Sequence, residues 1–239
     1  MVVVALLLLV STLYVSFVEL DSFHTHILLV DSSRVPATKI SLIRNVFVSN
    51  RDRNPYVKDN ATEIEVINNI GYNHKSAGFG FGDAATTVNL IKNYFKHGPD
   101  SHSRPSCYLY DDTATLTNVY LQGNIDTEYR CDATSGDETD ICHKTGNAIV
   151  QPGDVALSPV FVGSGFAELD ANLVPFTTSY EAGAIHPSRD FIDTRIFDTI
   201  NIAAADCSGD LGSGAIISSV SSVGGYPAVL DVPPPMDSE

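Results

Sequence analysis

Positive charge is scarce in this chain. Its 239 residues include 14 Lys and Arg against 29 Asp and Glu, which gives a formal net charge of -15. Long-range repulsion therefore disfavours nucleic acid or an anionic membrane surface as the main partner. The composition is typical of a folded protein, because 44 % of the residues are hydrophobic and only 18 % are charged. The excess of negative charge therefore does not indicate disorder.

Several signatures of catalysis and metal binding are also missing. The sequence has no Gly-x-Ser-x-Gly elbow, no Walker phosphate loop and no paired-cysteine zinc motif. The acidic run 132–140 lacks the spacing of an EF-hand, so we interpret it as a solvated loop. His24 and His26 alternate as on a strand, but no third ligand stands at a defined spacing, so we expect strand-edge histidines there.

Cysteine is limited to four positions. If all four form disulfides, three pairings are allowed, and reduced core thiols are the alternative. Only Cys131 and Cys142 lie close in sequence, and we expect this pair to close the polar loop between them. Asn60-Ala61-Thr62 is a glycosylation sequon, which matters in a eukaryotic secretory context. The other two cysteines are Cys107 and Cys207. Together, the cysteines and the sequon favour secretion.

The basic residues that are present are concentrated in one region. Ten Lys and Arg lie between residues 34 and 104, against six acidic residues, which is a local balance of +4. From residue 105 onward, four basic residues face twenty acidic ones. This pattern is explained either by solubility alone or by an anion-binding face on an acidic body. Arg51, Arg53 and Lys58 cluster around Pro55 inside the basic region.

The first 18 residues are almost continuously apolar. As a signal peptide, this segment has a suitable apolar length but lacks a basic start and a clear cleavage site. As a membrane span, it lies at the lower limit of length. A third interpretation is that these residues form buried strands of a chain whose true beginning is missing. The three interpretations stay open at this point.

A repeat of about 24 residues predicts the fold, because periods of this length indicate a solenoid. Four segments share the pattern apolar-x-Asn-apolar-aromatic at a nearly constant spacing. Each alternates apolar and polar residues like a strand with one buried face, and Gly, Asp, Asn and Pro clusters separate them. Such a unit predicts one coil of a right-handed parallel β-helix, because each coil buries its inner face only against its neighbours. We expect the repeated asparagines to stack as a structural ladder of Asn45, Asn69, Asn93 and Asn118.

The alternatives to this all-β fold fit less well. A leucine-rich repeat requires a regular leucine spacing, which is absent. A β-sandwich would show turns every 8 to 12 residues and would not show the repeated asparagine. After residue 124 the repeat decays into an irregular C-terminal extension, with a short helix predicted after Pro187. The predicted organisation is an apolar segment 1–18, a β-helix domain 19–227 and a Pro-rich tail 228–239.

Six phrases of the sequence occur in the order found in a known family. They are "NVFVSNRDRNPYVK", "NNIGYN", "VNLIKNYFKHGPDS", "YLQGN", "RDFIDTRI" and "SVGGYP". From about residue 12 to residue 227, the chain resembles secreted pectate lyase-like proteins of the parallel β-helix class. The resemblance implies β-elimination on polygalacturonate, with Ca²⁺ as cofactor and an extracellular location.

The resemblance also assigns roles to the cations beside Pro55. The family motif Arg-x-Pro-x-x-Arg reads here from Arg53 to Lys58, which makes Arg53 the candidate base and Lys58, with Arg51, the candidate contacts for substrate carboxylates. Lysine at position 58 keeps the charge but loses the two-pronged geometry of arginine. The calcium ligands are left open. The acidic residues before the basic cluster do not match the family's ligand pattern, and they are Glu19, Asp21 and Asp31.

Two functions therefore follow from the sequence. The first is a secreted pectate lyase that cuts acidic polysaccharide with the help of Ca²⁺. The second is a non-catalytic extracellular β-helix that binds polysaccharide or has a structural role and lacks the calcium site. In both cases we expect no nucleic acid partner and no membrane role beyond an N-terminal signal or anchor. An uncapped end of the stack would expose strand edges that allow end-to-end self-association.

Overall fold

A computed structural model gives the fold of this chain. It describes residues 12–13, 28–29, 37–50, 54–57, 60–82, 86–98, 100–110, 118–129, 137–144, 150, 152–182, 189 and 191–201. Most of segment 1–18 and all of the tail 228–239 lie outside the described residues, so the predicted domain boundaries remain predictions. No helix among the described residues is long and apolar enough to cross a membrane.

The described strands form three sheets in which every pair is parallel. The first sheet contains β1 (Thr12–Leu13), β3 (Thr38–Ile43), β6 (Thr62–Ile67), β9 (Val88–Ile91) and β12 (Val119–Gln122). The second contains β4 (Val46–Val48), β7 (Ile70–Tyr72), β10 (Tyr94–Lys96) and β13 (Ile125–Asp126). The third contains β2 (Leu28–Leu29), β5 (Tyr56–Val57), β8 (Phe79–Gly82), β11 (Cys107–Tyr110) and β14 (Cys142–Lys144).

The chain visits the three sheets in turn, which confirms the predicted parallel β-helix. Val46 pairs with Ile70 and Ile70 with Tyr94, so the first coils have the predicted period. The next coil is longer, because Tyr94 pairs with Ile125, which lies more than one period further along the chain. The inner faces of the first and third sheets pack into one apolar core that includes Leu42, Ile64, Leu90, Phe79 and Leu109. Each coil thus packs its inner residues against those of its neighbours, as expected for a solenoid.

The predicted disulfide between Cys131 and Cys142 is wrong. Cys142 is bonded to Cys107, 35 residues earlier. The two residues are direct partners on the neighbouring strands β11 and β14, with their Cα atoms 4.3 Å apart. Register between coils, and not distance along the chain, brings the two sulfurs together. Cys131 and Cys207 lie outside the described residues.

The asparagine ladder is present, but its fourth member differs from the prediction. The side-chain amide of each rung donates to the next side-chain oxygen, from Asn45 to Asn69, Asn69 to Asn93 and Asn93 to Asn124, at 2.9, 3.0 and 2.9 Å. Each rung lies after a strand of the first sheet, at the bend into the second sheet. Asn118 lies before such a strand, because β12 begins just after it and pairs with β9, so Asn118 is not a rung. The fourth rung lies 31 residues after the third, which is further than the predicted spacing of about 24 residues.

The backbone at each bend explains why the ladder residue follows the strand. The residue before each rung has a positive φ, which turns the chain from the first sheet into the second. Gly123 takes this position before Asn124, where a left-handed backbone is least costly. The other three residues with this geometry are Arg44, Asn68 and Lys92, with φ of 54°, 54° and 50°.

Two helices cover the outer face of the second sheet. Helix α1 spans Val174–Glu181, and α2 spans Phe191–Asn201, which confirms the helix predicted after Pro187. Their apolar residues pack with Ile70, Tyr94 and Ile125 of the sheet in a separate cluster. The buried Lys96 donates from Nζ to the backbone oxygen of Thr199, 2.6 Å away, near the end of α2. A cation at this position also balances the partial negative charge of the helix end.

An extended segment, 156–170, lies over the outer face of the first sheet. It is held by polar side chains that project from β6, from the bend after β6 and from β9. Glu65 accepts from the backbone of Ser164 at 2.9 Å, and Asn68 accepts from the backbone of Leu169 at 2.8 Å. Asn89 accepts from the backbone of Val160 at 3.1 Å. Phe166 of the segment also packs on the outward Ile43, Ile67 and Ile91 of the first sheet. The first two sheets are therefore covered by other parts of the chain, the first through polar and apolar contacts and the second mainly through apolar ones.

Candidate functional site

Among the described residues, the outer face of the third sheet carries aromatic residues, glycine and histidine where the second sheet carries mainly aliphatic residues that face the helices. Its inner side chains belong to the core, so the residues that alternate with them point outward. One row crosses four strands at a single register and consists of Tyr56, Gly80, Tyr108 and His143. The rings of Tyr108 and His143 lie 4.9 Å apart. A Cβ on Gly80 would come within 2.6 Å of the Tyr56 ring, so glycine is required for this close approach.

Three turns stack along one edge of this face, where the chain passes from the second sheet to the third. Their described residues are 49–50 with 54–55, 73–78, and 97–98 with 100–106, and we call them the edge turns. Asn54 Nδ2 of the first turn donates to the backbone oxygen of Ala77 in the second, at 3.2 Å. The backbone nitrogen of His102 in the third turn donates to the backbone oxygen of Lys75, at 2.9 Å. Successive coils thus bring the three turns side by side.

In the sequence, Arg51 and Arg53 lie between the described residues of the first edge turn, and Lys58 follows β5. Arg51, Arg53 and Lys58 lie outside the described residues, so their assigned roles stay predictions. The residues that flank 51–53 are described, and both are buried. Asn54 Nδ2 lies 3.5 Å from the backbone oxygen of Asn50, its second partner beside Ala77.

The edge turns contain two further cations, which belong to the basic region 34–104 but are not among the predicted site residues. Lys75 is exposed in the second turn, and Arg104 is partly exposed in the third. Arg104 Nη2 donates to Ser76 Oγ at 2.8 Å, so it joins these two turns. The signal for Lys75 was present, because it follows Arg51 by one period of the repeat. Arg104 lies in a longer coil, where the period gives no guide.

A buried ionic network supports the third edge turn. His97 Nε2 lies 3.1 Å from Asp126 Oδ1, and both side chains are almost completely buried. Glu128 Oε2 lies 3.1 Å from His97 Nδ1, as an ion-pair contact without the alignment of a hydrogen bond. Ser106 closes the network, since its backbone nitrogen donates to Asp126 Oδ2 at 2.8 Å. The start and end of the turn are thereby tied to β13.

Burial and charge shift the pKa values of this network in opposite directions. Burial lowers the pKa of His97, but the hydrogen bond and charge of Asp126, together with Glu128, outweigh it and raise the pKa. Burial raises the pKa of Asp126, but contacts with His97 and Ser106 outweigh it and lower the pKa. Burial, with His97 nearby, lowers the pKa of His74 to about 3. Burial, with Arg104 nearby, lowers the pKa of His143 to about 4.

The network resembles a Ser-His-Asp triad in composition but not in geometry. In a triad, the serine and the carboxylate contact opposite nitrogens of the histidine ring. Here Ser106 Oγ and the Asp126 carboxylate both contact Nε2 of His97, at 3.1 and 3.1 Å. Ser106 is also fully buried, so a substrate could not reach its hydroxyl. The network therefore holds the turn in place and does not provide a nucleophile.

The described residues do not fit a metal ion. No group of three or more His, Cys, Asp or Glu side chains within the described ranges could hold one. Asp100, in the third edge turn, accepts from Asn73 Nδ2 at 3.1 Å, and the buried Asp126 is engaged by His97 and by the backbone of Ser106. The acidic residues considered as ligands in the sequence lie outside the described residues, and they are Glu19, Asp21 and Asp31.

Comparison with known proteins supports a relation to pectate lyases. A probable pectate lyase C of Aspergillus terreus is 29 % identical over 211 residues, which cover 84 % of this chain and 44 % of that protein. A second, from Aspergillus flavus, is 42 % identical over 65 residues, which cover 26 % of this chain and 15 % of that protein. A third, from Neosartorya fischeri, is 32 % identical over 93 residues, which cover 38 % and 20 %. No family model matches the chain.

The chain spans less than half the length of these curated relatives in each match. The fold agrees with the relation, because pectate lyases are parallel β-helix proteins and this chain forms three parallel sheets. The shared features therefore support a pectate lyase-like relation for a β-helix whose third sheet is flanked by basic turns.

Proposed function

We propose that this chain is a pectate lyase-like carbohydrate-active protein that binds acidic polysaccharide along the outer face of its third sheet. The observation that supports the proposal is the stack of edge turns, which bears Lys75 and Arg104 in neighbouring coils. Neighbouring strands are about 4.8 Å apart, so a solenoid can present cations at short, regular intervals. A polymer with one carboxylate per sugar offers charges with a comparable regularity.

The proposed reaction is β-elimination on polygalacturonate with Arg53 as the base. Arg53 removes the proton α to the uronate carboxylate, and the electron pair of that C–H bond forms a C=C double bond. The bond between C4 and the glycosidic oxygen breaks, and the departing sugar takes a proton from water. Neutral arginine is scarce because its pKa exceeds about 12, so the reaction favours alkaline pH. Lys58 and Arg51 hold substrate carboxylates in this proposal.

Arg53→Ala tests the catalytic proposal. With polygalacturonate at alkaline pH, with and without Ca²⁺, we expect the parent chain to release unsaturated uronides that absorb in the ultraviolet. Loss of a proton-transfer group typically slows a reaction by about 10²–10⁴-fold, and we expect a loss of this size. Arg44→Ala is the matched control, because Arg44 lies at the bend between the first and second sheets, paired with Glu181, and its loss should leave the rate unchanged.

Binding measurements separate catalysis from recognition. We expect salt-sensitive binding to polygalacturonate that weakens in Lys75→Ala and Arg104→Ala, because each variant removes a cation from the edge turns. Binding without any product would favour the second function, a non-catalytic polysaccharide-binding β-helix. Full activity in Arg53→Ala would contradict the role of that residue, and the absence of salt-sensitive binding would contradict the proposal as a whole.

A further inference from the structure

Asn60 lies on the surface at the opposite edge of the third sheet from the edge turns. It stands in the turn between β5, in the third sheet, and β6, in the first. Asn60 is exposed. Its φ is 65°, a left-handed conformation that asparagine tolerates better than most residues. Asn60-Ala61-Thr62 is also the only Asn-x-Ser/Thr triplet in the sequence.

The other two residues of the triplet are part of the folded stack. Ala61 is completely buried in the core. Thr62 is the first residue of β6, and its hydroxyl donates to Thr38 Oγ1 on β3 at 3.2 Å. Asn60 is therefore the exposed member of the triplet once the coils have packed, whereas Thr62 is half-buried. A bulky group on its amide nitrogen would extend into solvent and would not need to displace either neighbouring strand.

We propose that Asn60 is a site of N-linked glycosylation when the chain passes through a eukaryotic secretory pathway. The amide nitrogen of Asn60 forms a bond to C1 of an oligosaccharide carried on a lipid diphosphate. The bond between C1 and the diphosphate oxygen breaks, the lipid diphosphate leaves, and the amide loses one proton. The hydroxyl of Thr62, which the transferase must recognise, is engaged with Thr38 in the folded stack. Transfer therefore precedes the packing of β6 on β3.

The test is expression of the full chain behind a yeast secretory leader, with the mass measured before and after treatment with peptide N-glycosidase. We expect a single enzyme-sensitive mass increment, in both secreted and cell-associated protein. The increment should be absent in Asn60→Asp, which keeps the shape of the side chain, and in Thr62→Val, which keeps its branching but removes the hydroxyl. It should be retained in Thr62→Ser, which keeps the hydroxyl.

Asn172→Asp is the matched control, because Asn172 is exposed but does not belong to a sequon, and it should retain the increment. Folded protein without an enzyme-sensitive increment would overturn the proposal, as would an increment that persists in Asn60→Asp. The surface position of Asn60 also predicts that glycosylated protein and Asn60→Asp unfold at similar temperatures. The readout is a mass, so its outcome does not depend on whether the chain binds polysaccharide.

Discussion

The second and third sheets are built on the same coils but differ on their outer faces. The second sheet presents apolar residues, such as Val46, Ile70 and Tyr94, to helices α1 and α2. The third presents the row of Tyr56, Gly80, Tyr108 and His143, beside the cations of the edge turns. Tyr56 and His143 of this row are buried, and Tyr108 is half-buried. The coil repeat determines where the strands stack, whereas the outward residues determine what lies against each face.

This difference separates the contributions of the two faces. Residues between the helices and the second sheet bury apolar surface, so they should determine stability. Cations at the edge of the third sheet remain at least partly exposed, so they should affect binding with little effect on stability. The buried network of His97 and Asp126 stands between the two classes, because it is ionic like the edge turns but buried like the core.

Asp126→Ala should give the largest loss of stability. It leaves the charge of His97 and the backbone nitrogens of Ser106 and Glu128 without the carboxylate that they contact. Removing one partner of a buried ion pair costs about 3–5 kcal/mol. Urea unfolding followed by circular dichroism would measure the loss. Asp126→Asn, which retains hydrogen-bonding oxygen but not the charge, should lose less, and equal losses in both variants would contradict the ionic role.

Ile200→Ala should be the next largest effect. Ile200 is 1 % exposed and packs in the cluster between α2 and the second sheet. Truncating a buried isoleucine to alanine costs about 2–5 kcal/mol, and the same denaturation experiment would measure it. Asp198→Ala is the matched control, since Asp198 is exposed on the same helix and should change stability by less than about 0.5 kcal/mol. Comparable losses in the two variants would show that α2 does not pack as described.

Much of the fold follows from the sequence because coil stacking repeats a local pattern. The regular spacing of Asn45, Asn69 and Asn93 predicted strand stacking, and the apolar positions after Pro187 predicted α2. The prediction failed where a coil lengthens. Asn124, and not Asn118, completes the ladder, because the turns between the third and fourth rungs are longer than those of the earlier coils. A pattern of fixed spacing cannot anticipate an insertion in a turn.

The site was less predictable, because it depends on contacts between coils. Cys107 and Cys142 are 35 residues apart in sequence but are direct partners across neighbouring strands. To predict this disulfide, the lengths of the intervening turns must be known, and the spacing of the cysteines in the sequence does not give them. The network of His97 and Asp126 likewise joins residues from different elements. Lys75 is the exception, since it follows Arg51 by one period and was within reach of the repeat argument.

The last of these effects is the pH dependence of the histidines beside the third sheet, which is small near neutral pH and grows on acidification. His143, with a pKa of about 4, and His74, with a pKa of about 3, bind protons more readily when unfolded, where the pKa is near 6.5. Stability is therefore lost as the pH falls below about 6.5, by up to about 1.4 kcal/mol per pH unit for each group. His97 has the opposite sign, because its raised pKa gives stability that is lost as the pH rises above its unfolded value. The sum predicts a stability maximum near neutral pH.

His143→Phe tests this balance, since it keeps a ring beside Tyr108 but removes one titrating group that faces Arg104 and Asp126. Urea unfolding at pH 7 and pH 5 should show a smaller loss of stability in the variant than in the parent chain, whereas the loss above pH 7 should be unchanged. On the helix-covered second sheet, burial lowers the pKa of Lys96 to about 8, so its contribution varies only above that pH. An acid loss that is equally steep in His143→Phe would show that the pH dependence arises elsewhere in the chain.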